Sequence, residues 1–172
     1  VGATDPNGNF ISGGLPETIT GMISECACVE TMLTGQLFGP DGTGEYGGSL
    51  VIPTAFANLR VWRDTNVPTT GIAPGIIGYE WDTSPTDDTR PAGLIKLSET
   101  TLNWSSIVTN QGMSGASGTA THNLSLYRDP ESGALVFGAG TVFWSWGLSD
   151  QHDQTPYSAN IENTDLKQFT IN

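Results

Sequence analysis

The sequence predicts a single, mainly β domain of 172 residues with little helix. Several short segments alternate apolar and polar residues, as strands with one buried face do. The 22 glycines and 10 prolines lie largely between these segments, where they mark turns. Periodicity alone leaves two architectures open, a sandwich-like domain and part of an α/β sheet.

The first 20 residues are rich in Gly, Pro, Asn and Thr and predict an N-terminal arm or loop. The β-rich domain then covers residues 21–172. Residues 49–52 predict a short strand that ends at Pro53. Residues 58–63 and 75–82 predict two further strands, the first of them half-buried.

In the second half, residues 93–101 and 120–128 alternate and predict two strands, whereas residues 110–119 are small and predict a flexible segment. Residues 129–133 contain Pro130 and Gly133 and predict a hairpin turn. The apolar run 134–146 predicts a central strand covered on both faces, antiparallel to residues 120–128.

One short helix is expected near the C-terminus. Asn163 or Thr164 suits the N-cap, because its side chain can accept a bond from an unpaired backbone N–H. Asp165 would then lie in the first turn, where a negative charge is favourable.

Charge excludes several classes of protein. The chain has 18 acidic and 6 basic residues and a net charge of −12, which argues against binding nucleic acid or an anionic membrane surface. One long uncharged run, residues 133–149, is shorter than the roughly 20 residues of a membrane-spanning helix. Five Trp, six Phe and four Tyr argue against disorder.

Five strings carry a specific resemblance. They include LRVWRDT at residues 59–65, GYEWD at 78–82 and RPAGLIKLS at 90–98. The other two are GTATHNLSLYR at 118–128 and GALVFGAGTVFWSWGL at 133–148. In order and spacing, residues 34–153 resemble the C-terminal domain family named after the large subunit of N,N-dimethylformamidase.

The resemblance implies a class I glutamine amidotransferase-like α/β fold and an origin in large secreted bacterial proteins. The Gly-Gly-Asn-Gly stretch of the family's first half is not found, so the chain is expected to be the later, strand-rich part. Cys26 and Cys28 lack a nucleophile setting, and Thr141 follows Gly140 where related domains have histidine. An amidotransferase triad is therefore not expected.

Other candidate site residues are few. Asp150 and Asp153 flank a loop that could hold Ca²⁺ through oxygen ligands. Trp62 and Trp81 beside Arg60 would form a carbohydrate-stacking surface if their rings were exposed. Tyr79 and Glu80 point to opposite faces of a strand, so a shared metal is not expected, and His122 is expected in the core.

The sequence thus favours a non-catalytic structural, adhesive or assembly module of a larger secreted bacterial protein, extracellular or at the cell surface. Its partners would be other protein chains or the rest of its own precursor. Two alternatives remain: the C-terminal part of an amide hydrolase whose catalytic half lies elsewhere, and a carbohydrate-binding module.

Overall fold

A computed structural model describes residues 3–4, 10–11, 28–42, 48–66, 75–86, 90–109, 114–151 and 161–172. The described part is mainly β, as the sequence predicts. Its strands are β1 Ala3–Thr4, β2 Phe10–Ile11, β3 Leu37–Asp41, β4 Glu80–Thr83, β5 Ile95–Lys96, β6 Thr100–Thr109, β7 Ser114–His122, β8 Ser125–Arg128 and β9 Leu135–Gly138. Its helices are α1 Cys28–Thr34, the 3₁₀ turn Arg60–Trp62, α2 Trp144–Leu148 and α3 Thr164–Ile171.

Four strands close into a small barrel in the order β3-β4-β7-β6. The long hairpin of β6 and β7 forms one wall, and single pairings, Thr83 with His122 and Pro40 with Ile107, close the rest. A second sheet has the order β5-β8-β9. All described pairs are antiparallel, so this part of the chain lacks the parallel pairing that an α/β sheet requires.

The core centres on aromatic side chains of the barrel. The rings of Trp81 and Trp104 meet edge to face with centroids 5.6 Å apart, and His122 lies 6.0 Å from Trp81. Such edge-to-face pairs contribute roughly 0.5–1.5 kcal/mol beyond their buried area. Fully buried aliphatic side chains complete this core: Leu50, Ile52, Ile76, Ile77, Leu97, Leu124 and Leu166.

The prediction of a strand at residues 58–63 is wrong. Arg60–Trp62 form a 3₁₀ turn in which the Trp62 N–H donates to the Leu59 carbonyl over 2.9 Å. Phe56, Leu59 and Trp62 follow a three-residue spacing that brings all three against the core. Trp62 packs on Phe169 of α3 with ring centroids 4.5 Å apart.

Three other predicted strands differ from the observed elements. Residues 49–52 are not a strand, although Val51 accepts from the Glu99 N–H over 2.8 Å and donates to Thr100 Oγ1 over 2.9 Å. Of residues 75–82 only the end belongs to β4. Segment 93–101 divides between β5 and the start of β6.

The central strand predicted at residues 134–146 is also wrong. β9 ends at Gly138, Gly140 has a φ of +61°, and α2 begins at Trp144. A positive φ is not an extended conformation, and glycine adopts it readily, so the backbone leaves the strand at this residue. Leu135 is 71% exposed and Val142 42%, which contradicts a strand covered on both faces.

The prediction of a flexible segment at residues 110–119 is wrong for residues 114–119, which belong to β7. A Cβ on Gly115 would lie 2.4 Å from Ser106 Oγ, and one on Gly118 3.1 Å from Ile107 Cδ1. The small side chains thus permit close approach of β6 rather than flexibility. Residues 110–113 lie outside the described part.

The local turn and helix signals are confirmed. The Gly133 N–H donates to the Asp129 carbonyl over 2.8 Å, and β8 and β9 pair antiparallel across that turn. Asn163 Oδ1 caps α3 by accepting from the Asp165 and Leu166 N–H groups over 2.9 and 3.2 Å. In the predicted arm, β1 pairs with β2, and the remaining residues of 1–20 lie outside the described part.

No helix in the described residues has both the length and the apolar character needed to cross a membrane.

Candidate functional site

The predicted carbohydrate-binding residues do not come together. Arg60 and Trp62 line a hollow of about 380 Å³ beside Arg63, whereas Trp81 lies in the barrel. Trp62 and Trp81 are only 3% and 1% exposed. Because sugar stacking needs an accessible ring face, the condition set by the sequence is not met at these two residues.

The predicted calcium ligands are described only in part. Asp150 is exposed and accepts a hydrogen bond from Gln151 Nε2 over 3.0 Å. Asp153 lies outside the described residues, as do His152, Asp87 and Asp88. Within the described residues, no group of three or more His, Cys, Asp or Glu side chains could hold a metal. The calcium site stays a prediction.

His122 has a structural role, as the sequence predicts. It is fully buried, and its Nε2 donates to the Ala139 carbonyl over 3.0 Å. Burial lowers its pKa to about 4, against an opposing effect of that carbonyl. The ring is therefore neutral at pH 7 and closed to solvent.

Thr141, which replaces the histidine of related domains, also serves the fold. Its hydroxyl donates to the Ile76 carbonyl over 2.9 Å and accepts from the N–H groups of Gly78 and Phe143 over 3.1 and 3.2 Å. The side chains of Cys26 and Cys28 lie outside the described part. The described residues thus assign neither His122 nor Thr141 to a nucleophilic site.

A concave surface with two carboxylates lies on β4. This acidic groove of about 280 Å³ is lined by Phe38, Glu80, Trp81, Asp82, Gly140, Thr141 and Val142. Phe38 pairs with Asp82, and Asp41 pairs with Glu80. On the other side of β4, the bridge between Trp81 and Thr141 sets Gly140 beside Asp82 and Val142 beside Glu80.

Glu80 and Asp82 share one face of β4 because they are two residues apart on a strand. Burial, together with the nearby Glu30 carboxylate, raises the pKa of Asp82 to about 6. Burial and the neighbouring Asp41 carboxylate likewise raise the pKa of Glu80. Glu30 and Asp41 thus each disfavour the negative charge of one of the two carboxylates that line the groove.

The sequence contained a signal for this groove that was missed. Glu80 adjoins Tyr79 in the sequence, but the two side chains point to opposite faces of a strand. The spacing of two on a strand pairs Glu80 with Asp82 instead. Glu30 and Asp41 raise the pKa values of Asp82 and Glu80 only because the fold brings them near, so no local sequence pattern indicates this effect.

A second exposed surface is one side of the sheet β5-β8-β9. Ile95, Leu126 and Phe137 form a row across the three strands, and Leu135 shares their side of β9. Phe137 also packs on Trp144 and Phe169, with centroids 5.1 and 5.2 Å apart. Ile95 and Leu135 are exposed. We call this side the open face.

The opposite side of the same sheet is covered by α1. Tyr127 Oη donates to the Leu33 carbonyl over 2.9 Å, and Ser125 Oγ donates to the Thr34 carbonyl over 2.6 Å. On the open face, Trp144 and Phe169 cover Phe137, and the exposed apolar side chains are Ile95 and Leu135.

The described fold and surfaces define a small antiparallel β protein with a closed four-stranded sheet. A family model described as N,N-dimethylformamidase beta subunit-like, C-terminal, matches residues 19–157. This is more than half of the chain, and the chain belongs to this family. No curated protein matches it significantly.

Proposed function

We propose that the chain is a non-catalytic assembly module of a larger secreted bacterial protein, and that its open face packs against the rest of that protein. The family description supports one part of this proposal, a place within a larger protein, because it names the C-terminal part of a beta subunit-like protein. A net charge of −12 suits solubility in a saline extracellular setting. The location at the cell surface or outside the cell is part of the same proposal.

The exposed row on the open face is the observation that carries this proposal. Ile95 and Leu135 lie on strands of the same sheet, beside the half-buried Leu126 and Phe137. Apolar side chains of both edge strands thus continue the aromatic cluster of the core outwards. Exposed apolar side chains beside a buried aromatic cluster fit a contact with another part of a protein.

Native mass spectrometry of the protein isolated gently from its source tests the proposal. We expect a particle heavier than one 18.2 kDa chain. Ile95→Asp or Leu135→Asp should loosen it, because a charge would have to be desolvated in the contact. Met32→Asp is the matched control, since Met32 is exposed and apolar but lies on α1.

Two results would contradict the proposal. The first is a native mass that corresponds to one 18.2 kDa chain, together with the same hydrodynamic behaviour in all three variants. The second is measurable hydrolysis of formamide or glutamine by the purified chain that is lost in Cys26→Ala or Cys28→Ala. That second result would favour the amide hydrolase alternative.

A further inference from the structure

The acidic groove combines negative charge with exposed apolar side chains. The carboxylates of Glu80 and Asp82 lie along its floor, and Phe38 and Val142 border them on opposite sides. Phe38 is 39% exposed and Val142 42%, which is high for side chains of this size. A bound cationic group could contact two carboxylates in this groove, and the apolar groups on either side of that cation could contact Phe38 and Val142.

The basic residues of the chain do not neutralise these carboxylates. All six Lys and Arg residues belong to the described part. Its two ion pairs are Arg63 with Asp64 and Lys167 with Glu162, both away from the groove. Instead, the Glu30 carboxylate disfavours the negative charge of Asp82, and the Asp41 carboxylate disfavours that of Glu80. An external cation would relieve this repulsion.

A segment bound in this groove must be recognised through side chains, because β4 cannot pair with an additional strand. The Asp82 N–H donates to the Gly140 carbonyl over 2.8 Å, and the Val142 N–H donates to the Glu80 carbonyl over 3.3 Å. On its other edge β4 pairs with β3. With both edges engaged, β4 has no free edge for a further strand.

We propose that the acidic groove binds an arginine-bearing segment of another polypeptide, with the guanidinium group between Glu80 and Asp82 and the adjacent apolar side chains against Phe38 and Val142. A guanidinium group is weakly hydrated, donates to carboxylates in a fixed fork and stacks on aromatic rings. The ring of Phe38 supplies that stacking surface. A metal ion fits less well, because the described residues contain no cluster of three ligating side chains.

This proposal is independent of the open face, so each can fail without the other. The probes are a blocked Gly-Val-Arg-Val-Gly peptide and its matched glutamine counterpart, Gly-Val-Gln-Val-Gly. Titration of each into the isotope-labelled chain is followed by NMR. We expect the arginine peptide to shift the amide signals of Phe38, Asp82 and Val142, and to bind more weakly as salt rises.

Variants locate the site. Asp82→Asn with Glu80→Gln should weaken binding of the arginine peptide roughly fivefold or more. Phe38→Ala should weaken it as well, because the stacking surface is lost. Glu131→Gln removes an exposed carboxylate in the β8–β9 turn and should leave binding unchanged. Asp82→Asn removes repulsion, so loss of folding is not expected to obscure the result.

Three outcomes overturn the proposal. They are equal affinity for the arginine and glutamine peptides, an unchanged affinity in the double variant, and amide shifts that map elsewhere on the chain. Ile95→Asp on the open face should leave peptide binding unchanged, which separates this test from that of the assembly role.

Discussion

Asp82 carries a charge where the fold disfavours one. Its carboxyl has a pKa of about 6, against an ordinary value of 3.8, so the folded state binds its proton at higher pH than the unfolded chain does. The cost is fully present at pH 7 and disappears as pH falls from 6 through 3.8. Asp82→Asn should therefore raise the free energy of unfolding at pH 7 by about 1–2 kcal/mol.

Urea unfolding of the variant at pH 7 and at pH 4 checks this prediction. The gain should be much smaller at the lower pH, where Asp82 is protonated in the folded state and partly protonated in the unfolded chain. Glu131→Gln is the control and should change stability at neither pH. A gain of the same size at both pH values would show that packing, and not charge, is responsible.

His122 has the opposite dependence on pH. Its pKa is lowered to about 4 from an ordinary 6.5, so the unfolded chain binds the proton first as pH falls. The stability that the neutral, buried ring contributes is present above pH 6.5 and is lost between 6.5 and 4. His122→Gln should flatten that part of the pH profile, while lowering stability at pH 7 by about 2 kcal/mol through lost packing.

An NMR titration of the ring protons is the direct measurement. The His122 signals should not move between pH 8 and pH 5.5, whereas a solvated histidine titrates there. A midpoint near 6.5 would contradict the buried, neutral ring. The sequence predicted its burial because Leu124 and Leu126 follow it at strand spacing. The size of its pKa shift depends on the surrounding fold and had no local signal.

At the scale of elements, α3 depends on its N-cap. Asn163 satisfies two backbone donors that would otherwise lack a partner in the helix. Asn163→Ala should lower the free energy of unfolding by about 0.5–2 kcal/mol. Asn163→Asp is the matched control and should retain most of it, because a carboxylate also caps and favours the helix N-terminus. Equal losses in both variants would show that the cap itself is unimportant.

Strand β9 offers a second comparison within one element. Phe137 contacts Trp144 and Phe169, whereas Leu135 is largely exposed on the same side of the strand. Phe137→Ala should cost about 2–3 kcal/mol, less than a fully buried phenylalanine, and Leu135→Ala less than about 0.5 kcal/mol. Thermal and urea unfolding of both variants measure the difference. Similar costs would mean that the aromatic cluster does not anchor this strand.

The elements differ in how far the sequence predicts them. The turn at residues 129–133 and the cap of α3 are local signals, so both were found. The apolar run 134–146 combines a strand, a glycine with positive φ and a helix, and a continuous run conceals such a change. The long hairpin of β6 and β7 was missed because its small residues resemble those of a flexible segment.

At the scale of the whole molecule, the barrel follows from long-range pairings with no sequence signature. Thr83 meets His122 and Pro40 meets Ile107 over separations of dozens of residues. The mainly β class could be predicted, because alternation and turns are local. The family could be recognised from ordered strings. The acidic groove could not, since β3, β4 and the Thr141 bridge meet only in the fold.

Net charge supplies the last prediction. With 18 acidic and 6 basic residues, charge repulsion acts across the whole folded chain. The screening length falls from about 30 Å at 0.01 M salt to about 10 Å at 0.1 M, so added salt weakens this repulsion. The thermal midpoint at pH 7 should rise by about 2–6 °C over that range. Neutralising Glu30, Asp41 and Asp82 as Gln, Asn and Asn should reduce the response, because Glu30 repels Asp82 and Asp41 repels Glu80. A midpoint that is unchanged or lower in salt would show that repulsion does not limit the stability of this fold.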